Sequence, residues 1–167
     1  MTLQKVLQVD IEKCVGCRIC EVACSLRNTG RVQPSRSRIK VIGYERRGEY
    51  HNYIPMVCQQ CSTPLCVEAC PTNALSRNPE TGAIVVDDDA CVGCRVCAMV
   101  CPIGGVSIDP ATDVAYKCDL CGGDPECVKY CYYEALKYVP KDKLDSSLKR
   151  SKSEKLSELF ALMESLR

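Results

Sequence analysis

The sequence predicts an α+β fold made of two similar small modules related by an approximate two-fold axis, followed by an amphipathic helix. Three observations indicate this fold. Sixteen cysteines in 167 residues fall into four groups, far more than the packing of small buried thiols needs. The runs of β-branched residues between them are short, as at residues 83–87. There is no Trp, and Phe160 is the only Phe, so cysteine chemistry must organise the fold in place of an aromatic core.

The four cysteine groups follow related spacings, and no cysteine is left over. The first and third groups have the spacing Cys-x2-Cys-x2-Cys-x3-Cys, while the second and fourth widen the middle gap to four and five residues. In chain order the groups are Cys14, Cys17, Cys20 and Cys24; Cys58, Cys61, Cys66 and Cys70; Cys91, Cys94, Cys97 and Cys101; and Cys118, Cys121, Cys127 and Cys131.

This spacing is typical of iron-sulfur ligands. Three thiolates two residues apart can each bind a different iron of one cubane, and we expect the fourth cysteine to begin a helix and to point elsewhere. In two-cluster ferredoxins that fourth cysteine ligates the other cluster. The sequence therefore predicts four [4Fe-4S] clusters with all sixteen cysteines as ligands.

The residues between the groups indicate which groups share a module. Cys-Pro pairs end the second group at Cys70 and the third at Cys101, and the predicted strand 83–87 lies between them. This arrangement is typical of one continuous bacterial-type ferredoxin, which leaves groups one and four for a second ferredoxin-like module. With the fourth ligands exchanged, the predicted cages are Cys14, Cys17, Cys20 with Cys131; Cys118, Cys121, Cys127 with Cys24; Cys58, Cys61, Cys66 with Cys101; and Cys91, Cys94, Cys97 with Cys70. Sequential pairing, of one with two and three with four, is the alternative.

The N-terminal residues predict a cytoplasmic protein. Residues 1–10 have neither the apolar core nor the cleavage site of a signal peptide, and Arg46-Arg47 lies too deep for a twin-arginine signal. No run approaches the roughly 18 apolar residues of a membrane span, so we expect no direct span. The formal net charge of +1 argues against a nucleic-acid partner.

Other uses of cysteine fit the pattern less well. Disulfides are disfavoured by the missing export signal and by the close spacing of the cysteines. Structural zinc would use two Cys-x2-Cys knuckles per metal, whereas here each pair is extended by a third cysteine. The Cys-x3-Cys-x2-Cys spacing of radical-SAM enzymes is absent, and no ligand is missing as in a [3Fe-4S] centre. A structural zinc protein is the remote alternative.

Two segments are predicted outside the cysteine loops. Within the four-cluster domain, residues 1–140, an inserted hairpin at 25–57 would serve as a lid over a cluster or as a docking surface. Residues 141–167 form a charged segment and a C-terminal helix, whose capping box begins at Ser151 and whose apolar stripe is Leu156, Leu159, Phe160, Met163 and Leu166. That helix either packs on its own domain or docks on another subunit or on a second copy of the chain.

Several cationic residues stand beside the cysteines: Lys13, Arg18, Arg95 and Lys117. Positive charge near a cubane raises its reduction potential, because it offsets the charge of the reduced state. The same residues could equally be ordinary surface charges.

Three motifs resemble the four-cluster iron-sulfur subunits of dimethyl-sulfoxide-reductase-type enzymes, over residues 1–140. They are Cys14-Val15-Gly16-Cys17-Arg18-Ile19-Cys20-Glu21-Val22-Ala23-Cys24-Ser25, the Pro55-x-x-Cys58-x-x-Cys61 entry with Pro64 and Cys66, and Lys117-Cys118-Asp119-Leu120-Cys121. The compact size and the run Ser25-Leu26-Arg27-Asn28 are most similar to the small electron-transfer subunit of tungsten aldehyde oxidoreductases.

The resemblance implies a function without catalysis by this chain. Its clusters would form a wire between a large pterin-metal catalytic subunit and a second redox partner, such as a flavin- or NAD-linked subunit. It also implies the pairing of groups one with four and two with three. A free polyferredoxin that shuttles between enzymes is the main alternative. The sequence does not give the donor, the acceptor, the direction of electron flow or the order of the cluster potentials.

Overall fold

A computed structural model of the chain describes residues 4–46 and 49–143 as an α+β fold of short elements. In chain order these are β1 Lys5–Val9, α1 Ile19–Thr29, β2 Ile39–Arg46, β3 Glu49–Val57, α2 Leu65–Glu68, β4 Leu75–Arg77, β5 Ile84–Val86, α3 Val96–Met99, β6 Val106–Ile108, β7 Ala115–Lys117, α4 Glu126–Lys129 and β8 Leu136–Pro140. The predicted C-terminal helix, with its docking role, lies outside the described residues.

The strands pair into two-stranded antiparallel sheets: β1 with β8, β2 with β3, β4 with β5, and β6 with β7. The last three pairs join strands that are neighbours in the chain. The β1–β8 pair instead joins the two ends of the described chain, with Val6 opposite Val139 and Val9 opposite Leu136. Strand β1 precedes the first cysteine group and β8 follows the fourth, so this pair brings the chain segments beside those two groups together.

The helices pack in two pairs, α1 against α4 and α2 against α3. Each contains the third cysteine of its group, namely Cys20, Cys66, Cys97 or Cys127. The expectation that the fourth cysteine begins a helix is wrong. Each helix begins before the third cysteine, and only α1 is long enough to include the fourth, Cys24. None of these helices, nor any other in residues 4–46 and 49–143, has the length and apolar character of a membrane span.

Two cores hold the fold together, and cysteine is prominent in both. The first core contains Leu7, Ile39, Leu120 and Leu136 together with cysteines of the first and fourth groups. The second contains Leu75, Ile84 and Val106 together with cysteines of the second and third groups. One cysteine departs from this division, because Cys58 of the second group packs in the first core.

The segment predicted as an inserted hairpin, residues 25–57, begins as a helix. Helix α1 continues to Thr29 and ends at Gly30, whose φ of 68° is left-handed. Strands β2 and β3 then form the hairpin, and its base is held by two arginines. Arg36 makes a bidentate ion pair with Asp109, and Arg38 pairs with Asp119 at 2.8 Å. The hairpin is therefore tied to both halves of the domain.

Gln60 joins the two cores through a fully buried side chain. Its Nε2 donates to the carbonyl oxygen of Cys118 at 2.7 Å, and its Oε1 accepts from the Ile84 amide at 2.8 Å. Cys118 lies in the first core and Ile84 in the second. One amide side chain thus satisfies a backbone group in each half of the domain.

We expect Gln60→Ala to destabilise the protein, because it leaves a buried N–H and a buried C=O without partners, each costing about 1–3 kcal/mol. The matched control is Gln59→Ala, since Gln59 is the adjacent residue of the same type and is exposed. The measurement is the temperature at which the visible absorbance of the clusters is lost. Equal midpoints for the two variants would contradict this role for Gln60.

Candidate iron-sulfur centres

The four cysteine loops share a backbone feature. The third residue of each group, two positions after its first cysteine, is left-handed: φ is 72° at Gly16, 48° at Gln60, 68° at Gly93 and 58° at Leu120. Left-handed residues can turn neighbouring backbone amides towards one concave side, a geometry that binds anions and is used at many iron-sulfur sites. The loops are therefore suited to a negatively charged cluster.

Two of these positions require glycine for a second reason. A Cβ on Gly16 would lie 2.5 Å from the ring of Tyr53, and one on Gly93 would lie 2.8 Å from the carbonyl oxygen of Asp113. The other two positions accept large side chains, and both Gln60 and Leu120 are fully buried. Sequence reasoning missed these two residues. The signal was present, because they occupy the place that glycine takes in Cys14-Val15-Gly16-Cys17.

The first group surrounds a small cavity together with the last cysteine of the chain. Its lining includes Val41 and Pro55, and its thiols are Cys14, Cys17, Cys20 and Cys131. Val41 and Pro55 belong to β2 and β3, so the inserted hairpin covers this cavity, with Tyr53 packed on the loop beside it. Of its two expected roles, lid and docking surface, this packing favours the lid.

The second group lines a cavity of about 160 Å³ with the last cysteine of the third group. The thiols in its wall are Cys58, Cys61, Cys66 and Cys101, and Lys117 also lines it. Burial raises the pKa of the Cys66 thiol, the charge of Lys117 opposes that rise, and the charges of Cys58 and Cys101 add to it. These groups therefore lie close enough to interact electrostatically.

The fourth group gathers around Cys24 of the first group. Cys24, Cys118 and Cys127 are all buried in the first core. Burial is the main cause that raises the pKa values of Cys118, Cys121 and Cys127, and interaction with Cys24 raises each of them further. The four thiols thus share one region.

The third group lies in the second core with Cys70. Cys70, Cys91, Cys97 and Cys101 all pack in that core. Burial raises the pKa of Cys97, and the neighbouring charges of Cys94 and Cys91 raise it further. Cys94 is itself exposed, as are Cys17 and Cys61. Part of this region therefore reaches the surface.

Backbone amides point at several of the sulfurs. The amide of Arg38 donates to Cys24 Sγ at 3.3 Å, that of Gly105 to Cys101 Sγ at 3.1 Å, and that of Ala115 to Cys91 Sγ at 3.5 Å. Such bonds stabilise a thiolate and tune the potential of a cluster bound to it.

Burial opposes ionisation at the most enclosed thiols. It raises the pKa of Cys20 and of Cys118 to about 12. Iron-sulfur ligands are thiolates, so the free energy of metal binding must drive their deprotonation. The donor set fits such a cluster, with four thiols around each of the two cavities described above.

Within residues 4–46 and 49–143, no three His, Cys, Asp or Glu side chains converge closely enough to hold a single metal ion. A cubane makes a different demand, because each of its four thiolates binds a separate iron.

We expect Gly16→Ala to weaken cluster binding by the first group, with a loss of about four irons per chain. A left-handed alanine costs about 1–2 kcal/mol, and here its Cβ would also strike the Tyr53 ring. Gly30→Ala is the control, because Gly30 is also left-handed but has no atom within 4 Å of the added Cβ. Iron analysis after purification distinguishes them, and equal iron contents would show that the contact with Tyr53 is unimportant.

Known iron-sulfur proteins are similar to this chain over most of its length. The family model described as "4Fe-4S dicluster domain" matches residues 49–141, which include the second, third and fourth cysteine groups. The polyferredoxin-like subunit of an aliphatic sulfonate oxidoreductase from Pyrococcus furiosus is 44% identical over 131 residues, covering 77% of this chain and 73% of that protein.

Two bacterial relatives are also similar along most of their length. The B subunit of the anaerobic dimethyl sulfoxide reductase of Escherichia coli is 34% identical over 161 residues, covering 86% of this chain and 77% of that protein. The thiosulfate reductase electron transfer subunit PhsB of Salmonella typhi is 34% identical over 148 residues, covering 83% and 77%. The predicted resemblance to the iron-sulfur subunits of dimethyl-sulfoxide-reductase-type enzymes is confirmed. The chain belongs to the 4Fe-4S dicluster family, among the iron-sulfur electron-transfer subunits of dimethyl-sulfoxide-reductase-type and related oxidoreductases.

Proposed function

We propose that this chain is a non-catalytic subunit that relays single electrons through four [4Fe-4S] clusters, between a large pterin-metal catalytic subunit and a second redox partner. The cluster supplies the one-electron chemistry, and the polypeptide supplies position and electrostatic environment. The observation that carries the proposal is the gathering of the cysteine groups into two cores, groups one and four in the first and groups two and three in the second.

The packing supports nested pairing with exchanged fourth ligands. Helix α1 contacts α4, and α2 contacts α3, as expected if each pair of groups forms one ferredoxin-like module. The two modules would then be related by an approximate two-fold axis. The proposed cages are Cys14, Cys17, Cys20 with Cys131; Cys118, Cys121, Cys127 with Cys24; Cys58, Cys61, Cys66 with Cys101; and Cys91, Cys94, Cys97 with Cys70.

The order of the cages follows from one contact between the modules. Cys58 packs in the first core, and its charge adds to the effect of burial on the pKa of Cys118. The cages of the second and fourth groups therefore adjoin. Because each is also paired within its own module, the order along the relay is one, four, two and three. The cages of the first and third groups are its two ends, where donor and acceptor would bind.

The names of the relatives support a place in a larger complex. Each of the three belongs to an oxidoreductase as one of its subunits. The small subunit of a tungsten aldehyde oxidoreductase is the specific role that we favour, on the strength of the run Ser25-Leu26-Arg27-Asn28. A flavin- or NAD-linked subunit would then be the second partner. We place the whole complex in the cytoplasm.

Anaerobic isolation of the untagged protein from its source tests this role. We expect it to co-purify stoichiometrically with a large pterin-metal subunit and to carry about sixteen irons per chain, with matching acid-labile sulfide. Isolation without a partner would favour a free polyferredoxin that shuttles between enzymes. Zinc with little sulfide would instead refute the clusters themselves.

Ligand variants test the pairing. We expect Cys131→Ser and Cys14→Ser to alter the same cluster, because both thiols belong to the proposed first cage, whereas Cys121→Ser should alter a different one. Electron paramagnetic resonance (EPR) during a redox titration identifies the affected cluster by its potential and signal. Under sequential pairing, Cys131→Ser would alter the same cluster as Cys91→Ser, and that result would overturn the nested arrangement.

A further inference from the structure

Lys117, the last residue of β7, is a buried cation. The residue is 3% exposed, although lysine is almost never fully buried unless it is paired. Its Nζ donates to the carbonyl oxygen of Ile84 at 3.2 Å. None of the ion pairs in the described part of the chain includes Lys117. A neutral carbonyl is a weak partner for a buried charge, which calls for an anion nearby.

The cavity of the second cage provides the place for that anion. Lys117 lines this cavity together with Cys58, Cys61, Cys66 and Cys101. A [4Fe-4S] cluster with four thiolate ligands carries a net negative charge, and one-electron reduction adds one more negative charge. The burial of Lys117 keeps away from its ammonium the water that would screen the interaction.

We propose that Lys117 is the counter-ion of the cluster in the second cage and raises the reduction potential of that cluster above the value it would have otherwise. The inference rests on the proposed function, because it assumes a cluster bound by these four thiolates. A fixed positive charge in a medium of low dielectric constant stabilises the reduced state more than the oxidised state. The electron itself passes on to the next centre, so no bond is made or broken.

The other cations beside the cysteines are placed differently. The side chains of Arg18 and Arg95 are 59% and 63% exposed, and Arg95 is paired with Asp113 at 2.7 Å. Lys13 is also exposed. Water and salt screen an exposed charge strongly. Of the four cations singled out in the sequence, Lys117 therefore has the strongest effect on a potential.

The location of Lys117 determines where the relay is affected. It directly precedes Cys118 of the fourth group, and its ammonium reaches Ile84 in the second core. It therefore acts at the junction of the two modules. A raised potential at this internal centre favours residence of an electron midway along the relay, away from both ends.

The test is an EPR-monitored redox titration of the full chain, isolated with its partners, as wild type and as Lys117→Met. We expect one of the four midpoint potentials to become more negative and the other three to stay within error. Lys117→Arg, which keeps the charge, should stay near wild type. Lys13→Met is the matched control, because Lys13 precedes Cys14 as Lys117 precedes Cys118, and it should move none of the four.

The cluster that responds must be the one in the second cage. Cys61→Ser, which replaces one of its proposed ligands, marks this cluster by changing its EPR signal. The same signal should be the one shifted by Lys117→Met. A shift of a different cluster, no shift at all, or an equal shift in Lys13→Met would overturn the inference.

If Lys117→Met loses a cluster, Lys117→Gln is measured instead, because its amide keeps a hydrogen-bond donor but carries no charge. If that variant keeps its iron and shows the negative shift, the inference stands. Loss of iron in both variants, with no shift in the clusters that remain, would show that Lys117 has only a structural role. Failure of the proposed function is distinguishable, because the wild-type protein would then lack iron, sulfide and EPR signals before any variant is compared.

Discussion

To bind one cluster, four thiolates from distant parts of the chain must be brought together, and the rest of this structure depends on that requirement. The first cavity takes three of its cysteines from one end of the domain and Cys131 from the other. The second takes three from one loop and Cys101 from a loop beyond the next hairpin. Short helices and two-stranded sheets suffice as connections, because cysteines occupy much of the space that aliphatic and aromatic side chains fill in other domains. The protein and its clusters are in this sense one structure, with metal binding coupled to folding.

Buried polar side chains then fix how the halves meet. Gln60 bonds to backbone groups in both cores, and Lys117 reaches from the end of β7 to Ile84. Arg36 and Arg38 tie the hairpin to Asp109 and Asp119. Hydrogen bonds are directional, unlike hydrophobic contacts, so they can hold the two halves of the domain at a defined separation. Electron transfer between neighbouring centres depends on that separation being constant.

The sequence could predict the cysteine groups, the family and most strands, because ligand spacing and β-branched runs are local patterns. The strand predicted at residues 83–87 is observed as Ile84–Val86, and the hairpin strands lie close to their expected positions. The prediction that the fourth cysteine begins a helix is wrong, because the spacing alone does not show that each helix begins before the third cysteine. The sequence also could not predict which of the cations beside the cysteines are buried. Lys13 and Lys117 both precede the first cysteine of a group, yet one is exposed and the other buried, since long-range packing decides which loop is covered. The residue types of Gln60 and Leu120 do not indicate a left-handed conformation, and only their position, which matches that of Gly16 and Gly93, does so.

The pairing of β1 with β8 has a consequence for how the protein is made. A chain that grows from its N-terminus can form the β4–β5 and β6–β7 hairpins while β8 is still unmade, whereas β1 must wait for residues 136–140. Closing so long a loop also adds entropic cost and slows folding. The inner cysteines can therefore be enclosed during synthesis, while those of the first group stay accessible to oxidants and competing metals until the last strand arrives. The first cavity would then be the last to be completed, because it needs both the N-terminal cysteines and Cys131.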